Sequence, residues 1–286
     1  MFDVYQKVTD RFVEMMQGGE IPWKKPWSGT MEGAINYDSR NPYSLLNQMI
    51  LGKPGEWMTK NQIDAHGGKI KKGAKAGFVV FFKWLEDKTT DEDGQEKVHR
   101  WPMLRYYNVF HIDDVEGVKS KLTTAEVARH APSEIADAVV DGYLAREKGL
   151  KLTIKESNRA YYAPLLDEVV CPKMNQFDVL AQYYSTLFHE LTHSTARESR
   201  CNRDIDELAF FGSESYSREE LVAELGAAML CNVTGLECAA TVRNSTAYLQ
   251  NWIKALKNDN RMIVWAAARA EKAAEFIRFG KKEKAA

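Results

Sequence analysis

The four cysteines, Cys171, Cys201, Cys231 and Cys238, form no CxxC pair. That excludes a dithiol redox motif or a cysteine-paired zinc ribbon, and fits free or buried thiols in a reducing compartment. No stretch is long and apolar enough to cross a bilayer. The opening MFDVYQKVTDRFVEMM is amphipathic and contains acids, without the basic start and apolar run of a secretion signal. These absences point to the cytoplasm and away from a membrane. An excess of one charge is missing too: 39 Lys and Arg face 40 Asp and Glu. Any nucleic-acid binding must then come from a local patch, not from bulk attraction. Internal repeats and low-complexity tracts are absent.

At 286 residues the chain is long for one ordinary single-core domain and fits two. An amphipathic first helix should stop at Gly18-Gly19, before the loop IPWKKPW. From there to about Phe110 the chain is irregular and punctuated by glycine. GFVVFFKWL reads as a buried strand and RYYNVFHI as a second, with a hairpin tip at Asp93-Gly94. Residues 1–118 are thus expected to form an α+β unit. Residues 119–133 have few large apolar side chains and read as a linker. Residues 134–286 turn mainly helical, over 134–148, 177–195, 218–233, 246–257 and 261–279, and one strand-like piece, RAYYAPLLDEVVCP, precedes the second of these helices.

That second helix carries TLFHELTHST, an HExxH motif. Residues i and i+4 share a helix face, so His189 and His193 can present two imidazole nitrogens to one zinc ion, with Glu190 in reach of a bound water. Leu180, Tyr184, Leu187 and Leu191 form a stripe expected to face the core, which directs the histidines into a cleft on the other side. The bland alternative is an exposed helix with two solvated histidines. A further helix, YSREELVAELGAAML, offers acids: Glu220 and Glu224 lie on one flank of its apolar face, and Glu219 is expected to face solvent. A carboxylate on an apolar flank needs a partner. For Glu220 that is either a metal or the capping box Ser217-x-x-Glu220. The extended metzincin pattern fails, because Ala196 and Ser199 stand where its glycine and third histidine belong. A glutamate from the later helix is therefore the expected third ligand. From spacing alone the conclusion is a metal site.

The stretches NRAYYAPLLDEVVCPKMNQFDVLAQYYSTLFHELTHSTA, FGSESYSREELVAELGAAML and AYLQNWIKALKNDNRMIVWAAARAEKAAEFI resemble the zincin-like metallopeptidase domain of ArdC-type antirestriction proteins. IPWKKPW, NPYSLLNQMIL, EWMTKNQIDAHGGKIKKGAKAGFVVFF and YYNVFHID resemble that family's N-terminal domain, also found in plasmid primases of the TraC kind. The resemblance implies a protein of a plasmid or other mobile element that binds single-stranded DNA and protects incoming DNA from host restriction. It implies Zn2+ (with Mn2+ as a possible substitute) held by His189, His193 and Glu220, and Glu190 as general base. An oxyanion stabiliser is expected as well, with Tyr216 and Tyr162 as the candidates. In glutamate-zincins an acid one turn after the ligand orients a metal-bound imidazole, which assigns that role to Glu224. The protein substrate would belong to the host restriction machinery. RAYYAPLLDEVVCP would supply an edge strand for it.

Sequence-tolerant binding of single strands needs aromatic faces and cations. The expected set is Trp23, Lys24, Lys25, Trp27, Tyr43, Lys60, Lys69, Lys71, Lys72 and Lys75, with Asn47, Asn61 and Gln62 as weaker polar contacts. Read without the resemblance, most of these aromatics suit a small core; Trp57 and Phe81-Phe82 are expected there in any case. Two rivals remain open: a DNA-coating protein with a structural metal, and an accessory to a primase on another chain.

Overall fold

A computed structural model of the protein describes residues 3–24, 33–90, 96–122, 132–203, 214–236 and 246–281. Most of the expected linker, and the expected hairpin tip, lie outside these residues. The first helix, α1 (Val4–Gln17), is capped by Asp3, whose carboxylate accepts from the Tyr5 amide at 2.9 Å. Its buried stripe runs through Val8, Phe12 and Met16. After it come β1 (Ala34–Asn36), α2 (Leu45–Leu51), β2 (Gly55–Thr59), α3 (Lys60–Ala65), β3 (Lys69–Ile70), β4 (Gly77–Thr90), β5 (Glu96–His111) and β6 (Val115–Glu116). Four strands form one sheet in the order β1-β2-β5-β4, antiparallel except for β1 with β2; β3 and β6 pair separately.

The outer edge of β4 would leave backbone groups unpaired. Buried Asn47 on α2 resolves this locally: its side chain donates to the Val80 carbonyl at 2.9 Å and accepts from the Val80 amide at 2.7 Å. Gln62 is occupied as well, in a capping box with Thr59 that starts α3. Neither residue is the free polar contact suggested by the sequence.

The second half is mainly helical: α4 (Pro132–Arg146), α5 (Leu180–Ser194), α6 (Glu214–Val233), α7 (Thr246–Asn258) and α8 (Met262–Phe279). Between α4 and α5 lie β7 (Lys151–Lys155), β8 (Tyr161–Ala163) and β9 (Glu168–Pro172), in the order β7-β9-β8. Along α8, Ala266, Ala267, Ala270, Ala273 and Ala274 are buried, so neighbouring helices approach a narrow, strongly helix-favouring face. The protein is α+β, with the sheet-rich part N-terminal and the helical part C-terminal. One hydrophobic core nevertheless spans both, joining Val8, Phe12, Trp23 and Leu46 to Leu221, Trp252, Ile263 and Phe276. No described helix is long and apolar enough to cross a membrane.

Arg200 fixes the end of α5. Its guanidinium donates to both Asp167 oxygens at 2.8 and 2.7 Å, to Glu147 at 3.0 Å and to the Ser194 carbonyl at 2.8 Å. The β8–β9 turn, the end of α4 and the HExxH helix are thereby tied at one buried point.

Candidate metal centre

α5 is enclosed on more sides than a single stripe implies. Tyr184, Leu187, Phe188 and Leu191 are buried, and so are Glu190 and His193, whereas Leu180 at the helix start is partly exposed. α6 crosses α5 closely at Gly226, where a Cβ would lie only 2.6 Å from Thr192 Cγ2 and 2.7 Å from its Oγ1. Thr192 is itself fully buried and bonded to the Phe188 carbonyl at 2.7 Å, so it cannot give way. A mid-helix glycine costs stability; here it allows the crossing that brings the acids of α6 over the histidines.

α6 begins at Glu214, so Ser217 lies inside the helix and not at its start. Glu220 turns toward the histidines. His193 Nε2 lies 3.3 Å from Glu220 Oε1, His189 Nε2 lies 3.5 Å from Oε2, and the two Nε2 atoms are 3.1 Å apart. Tetrahedral zinc with ligands at about 2.0–2.1 Å has ligand–ligand edges of about 3.3 Å. The spacings are of that size, the two to Glu220 running to its two different oxygens, and one ligand atom from each residue lies within 4.8 Å of the others. Charge balance agrees: a divalent cation would offset the Glu190 and Glu220 carboxylates. Burial disfavours charge on these groups, but pairing outweighs it. The carboxylates hold His189 and His193 above the ordinary histidine range, and the imidazoles hold Glu220 well below the ordinary glutamate range.

Glu219 reverses its expected place. It is 4% exposed, not solvent-facing. Arg203, also buried, donates to its two oxygens at 2.9 and 2.7 Å, to Thr195 Oγ1 at 2.8 Å and to the Thr192 carbonyl at 2.9 Å. Glu219 Oε1 stands 3.5 Å from His193 Nδ1, a buried nitrogen with no hydrogen bond among the described residues. That distance is long for a formed bond, so the link is chiefly charge attraction. Glu219, just before Glu220, is therefore an acid beside a histidine's remote nitrogen, a place the family resemblance assigned to Glu224 alone. Glu224 acts on His189 through its charge. Glu219 and Arg203 are the site residues that sequence reasoning missed.

Other expected site residues are dispersed. The Tyr162 hydroxyl donates to Asp167 at 2.9 Å and belongs to the Arg200 clamp, not to an oxyanion site. Tyr216 stands on α6 one turn before Glu220, and its side chain lies outside the described residues. Lys25 and Trp27 lie outside them as well, as does the Lys24 side chain. Trp23 is 1% exposed, its ring edge-on to Trp252 at 5.8 Å, so it cannot stack on a base. Tyr43 is buried beside Leu51, Trp57 and Val79. Lys60 pairs with Asp64 at 2.7 Å and Lys71 donates to the Asp113 carbonyl at 2.7 Å. Lys69, Lys72 and Lys75 are exposed, as expected. Phe81 and Phe82, expected in the core, are each 47% exposed. β4 runs 14 residues, about 45 Å at a strand's rise, and is already open to solvent at these two positions.

Comparison with known proteins follows the same division. Residues 2–110 match the family model for the N-terminal domain of anti-restriction factor ArdC, and residues 140–269 match that for zincin-like metallopeptidases. DNA primase TraC of Escherichia coli is 30% identical over 294 residues, covering 96% of this chain but only 27% of the primase. A second Escherichia coli TraC is 27% identical, and the chain covers 20% of it. The chain thus spans about a quarter or less of these primases. Uncharacterized protein y4eC of Sinorhizobium fredii (strain NBRC 101917 / NGR234) is 28% identical, with 96% of this chain and 91% of that protein covered. Among solved structures, the antirestriction ArdC protein from plasmid R388 superposes in its metal-free form with TM-score 0.76 at 33% identity, over 98% of both chains. Its Mn(II)-bound form gives TM-score 0.74 at 32% identity. Matched end to end at this identity, with both domain models in the same order, the chain belongs to the ArdC family of antirestriction proteins.

Proposed function

We propose that this protein is an antirestriction factor of a mobile element that binds single-stranded DNA and hydrolyses peptide bonds at a divalent-metal centre. The observation that carries the enzymatic part is the convergence of His189, His193 and Glu220 within 4.8 Å of one another, with Glu190 buried in the same helix. Zn2+ suits two imidazoles and a carboxylate, and the Mn(II)-bound R388 protein supports Mn2+ as an alternative. Residues 1–118 supply the DNA-binding part and 134–286 the peptidase part, joined through 119–133.

A bound cation would polarise both a water molecule and the scissile carbonyl. The remaining work falls to the chain itself. Glu190 accepts the water's proton as the carbon–oxygen bond forms, then delivers it to the departing amine nitrogen. Glu219, held by Arg203, keeps the His193 ring turned toward Glu220. β8 is an edge strand of its sheet, so an extended peptide can pair with it by backbone hydrogen bonds. Tyr216, one turn before Glu220, is our choice for the oxyanion donor. A protein of the host restriction machinery is the proposed substrate.

Glu190→Gln tests this reading. It should leave metal content and DNA binding unchanged and abolish peptide cleavage in a screen run with and without single-stranded DNA. Loss of the metal in this variant would show that Glu190 is a ligand. Antirestriction that survives the change would mean that coating of DNA, not proteolysis, protects it.

A further inference from the structure

The projecting part of the β4–β5 hairpin has two chemically different faces. In antiparallel pairs, directly opposed residues share a face. Val79 opposes Tyr107, Phe81 opposes Arg105 and Lys83 opposes Met103, so Phe81, Tyr107, Arg105 and Lys83 line one side. Val80 opposes Tyr106 and Phe82 opposes Leu104 on the other.

On the first face the buried cluster of Tyr43, Leu51, Trp57, Val79 and Val109 continues outward into two exposed rings. Phe81 is 47% and Tyr107 46% exposed, with ring centroids 6.0 Å apart, and Tyr43 supports Phe81 from behind at 6.4 Å. Arg105 and Lys83 are exposed beside them, with no ion pair among the described residues. The second face differs. Lys7 lies over Phe78 and Tyr106 at 4.6 and 5.0 Å, and the adjoining hollow is lined by Asp3, Asp10 and Glu14 together with Lys7 and Arg11, Arg11 being paired with Glu14 at 3.0 Å. The lining carries three acids against two cations, so it offers phosphates no net positive charge.

We infer that the Phe81–Tyr107 face is the platform on which this protein stacks the bases of single-stranded DNA, with Arg105 and Lys83 on the flanking phosphates. The inference rests on the DNA-binding part of the proposed function and locates it. Large exposed rings next to unpaired cations meet the two requirements of sequence-tolerant strand binding, π-faces and backbone neutralisation. A duplex, whose base faces are already stacked, satisfies only the second. The platform also replaces Trp23 and Tyr43, which the fold buries.

The test is fluorescence anisotropy of a labelled oligodeoxythymidine of about 20 nucleotides, longer than a site of about 16, titrated with the whole chain. Phe81→Ala and Tyr107→Ala should each weaken binding about tenfold. Arg105→Gln should lower the slope of log affinity against log salt by about 0.7. Phe82→Ala, on the opposite face of the hairpin, should bind within about twofold of the parent, and melting curves establish that each variant is folded. If the parent binds and the Phe81 and Tyr107 variants bind equally well, the platform is overturned while the DNA reading stands. A parent that does not bind the oligonucleotide at all sinks both. Self-association of the parent that disappears in Phe81→Ala, with DNA affinity intact, would identify the face as a contact between copies and overturn the proposal.

Discussion

Replacing Glu219 by glutamine removes one charge and almost no volume, so its effects can be read directly from the contacts. The Glu219 carboxylate accepts two hydrogen bonds from Arg203 at 2.7 and 2.9 Å, and both side chains are about 95% buried. Breaking a buried ion pair by removing one partner costs about 3–5 kcal/mol. Glutamine keeps one acceptor for Arg203, and Thr192 and Thr195 keep accepting from it, so the lower end, about 3 kcal/mol, is expected. At roughly 2–4 °C per kcal/mol for a chain of this size, the melting temperature should fall by roughly 6–12 °C. The His193 ring also loses the charge facing its Nδ1. Loss of an acid that supports a metal-bound imidazole weakens metal affinity about 10- to 100-fold. Competition of the folded variant against a chelating dye, with Zn2+ and with Mn2+, measures this. Glu224→Gln serves as the comparison and should change affinity less. The reasoning is refuted if Glu219→Gln binds metal like the parent while Glu224→Gln loses tenfold or more.

Trp23→Ala should destabilise the protein by about 3–5 kcal/mol, as expected for a core tryptophan. DNA affinity of the folded variant should stay near that of the parent, and a DNA defect without a stability defect would contradict the burial. Asp167 titrates below the ordinary carboxylate range: burial opposes ionisation, but hydrogen bonds from Arg200 and Tyr162 outweigh it. A depressed folded value contributes stability above the unfolded pKa of about 3.9 and loses it as pH falls further. Asp167→Asn should therefore be less stable than the parent at pH 7, with the gap closing below about pH 4 in denaturant titrations; a constant gap would argue against the linkage.

Most of the architecture could be read from periodicity. All five C-terminal helices follow apolar spacing, and the two histidines one turn apart on α5 indicated a metal without any structure, whereas α2, β2 and α3 lie in a stretch that reads as irregular. What escaped depends on partners far away in sequence. A helical wheel assigns Glu219 to solvent because it assumes one apolar face. Around it, however, Leu221, Val222, Ala223, Leu225, Ala227, Ala228 and Leu230 are all buried, so α6 is enclosed on nearly every side. An ELVAELGAAML run with so little polar surface was the available signal. Arg203, the partner that makes this burial tolerable, comes from an irregular stretch after α5 with no periodicity to place it. Trp23 failed for a related reason. A tryptophan between proline and lysines fits a stacking loop as well as a core, and only contact with Trp252 distinguishes them.

The shared core also changes how the two family-level domains relate physically. Val8, Phe12, Met16 and Trp23 lie in the same buried cluster as residues of α6, α7 and α8. At roughly 1.5–3 kcal/mol for each fully buried large apolar side chain, these four alone represent roughly 6–12 kcal/mol, an upper estimate. That is comparable to the entire stability of an ordinary domain. Polar contacts run across the same boundary: Thr9 donates to the Asn260 carbonyl at 3.0 Å, and Asn260 donates to Asp3 at 2.9 Å. Apolar packing and hydrogen bonds thus cross the change of composition around residue 119. A ligand that binds only the folded state stabilises everything that unfolds with it. DNA on the hairpin face and a cation between α5 and α6 would accordingly stabilise one common structure, even though no residue need touch both.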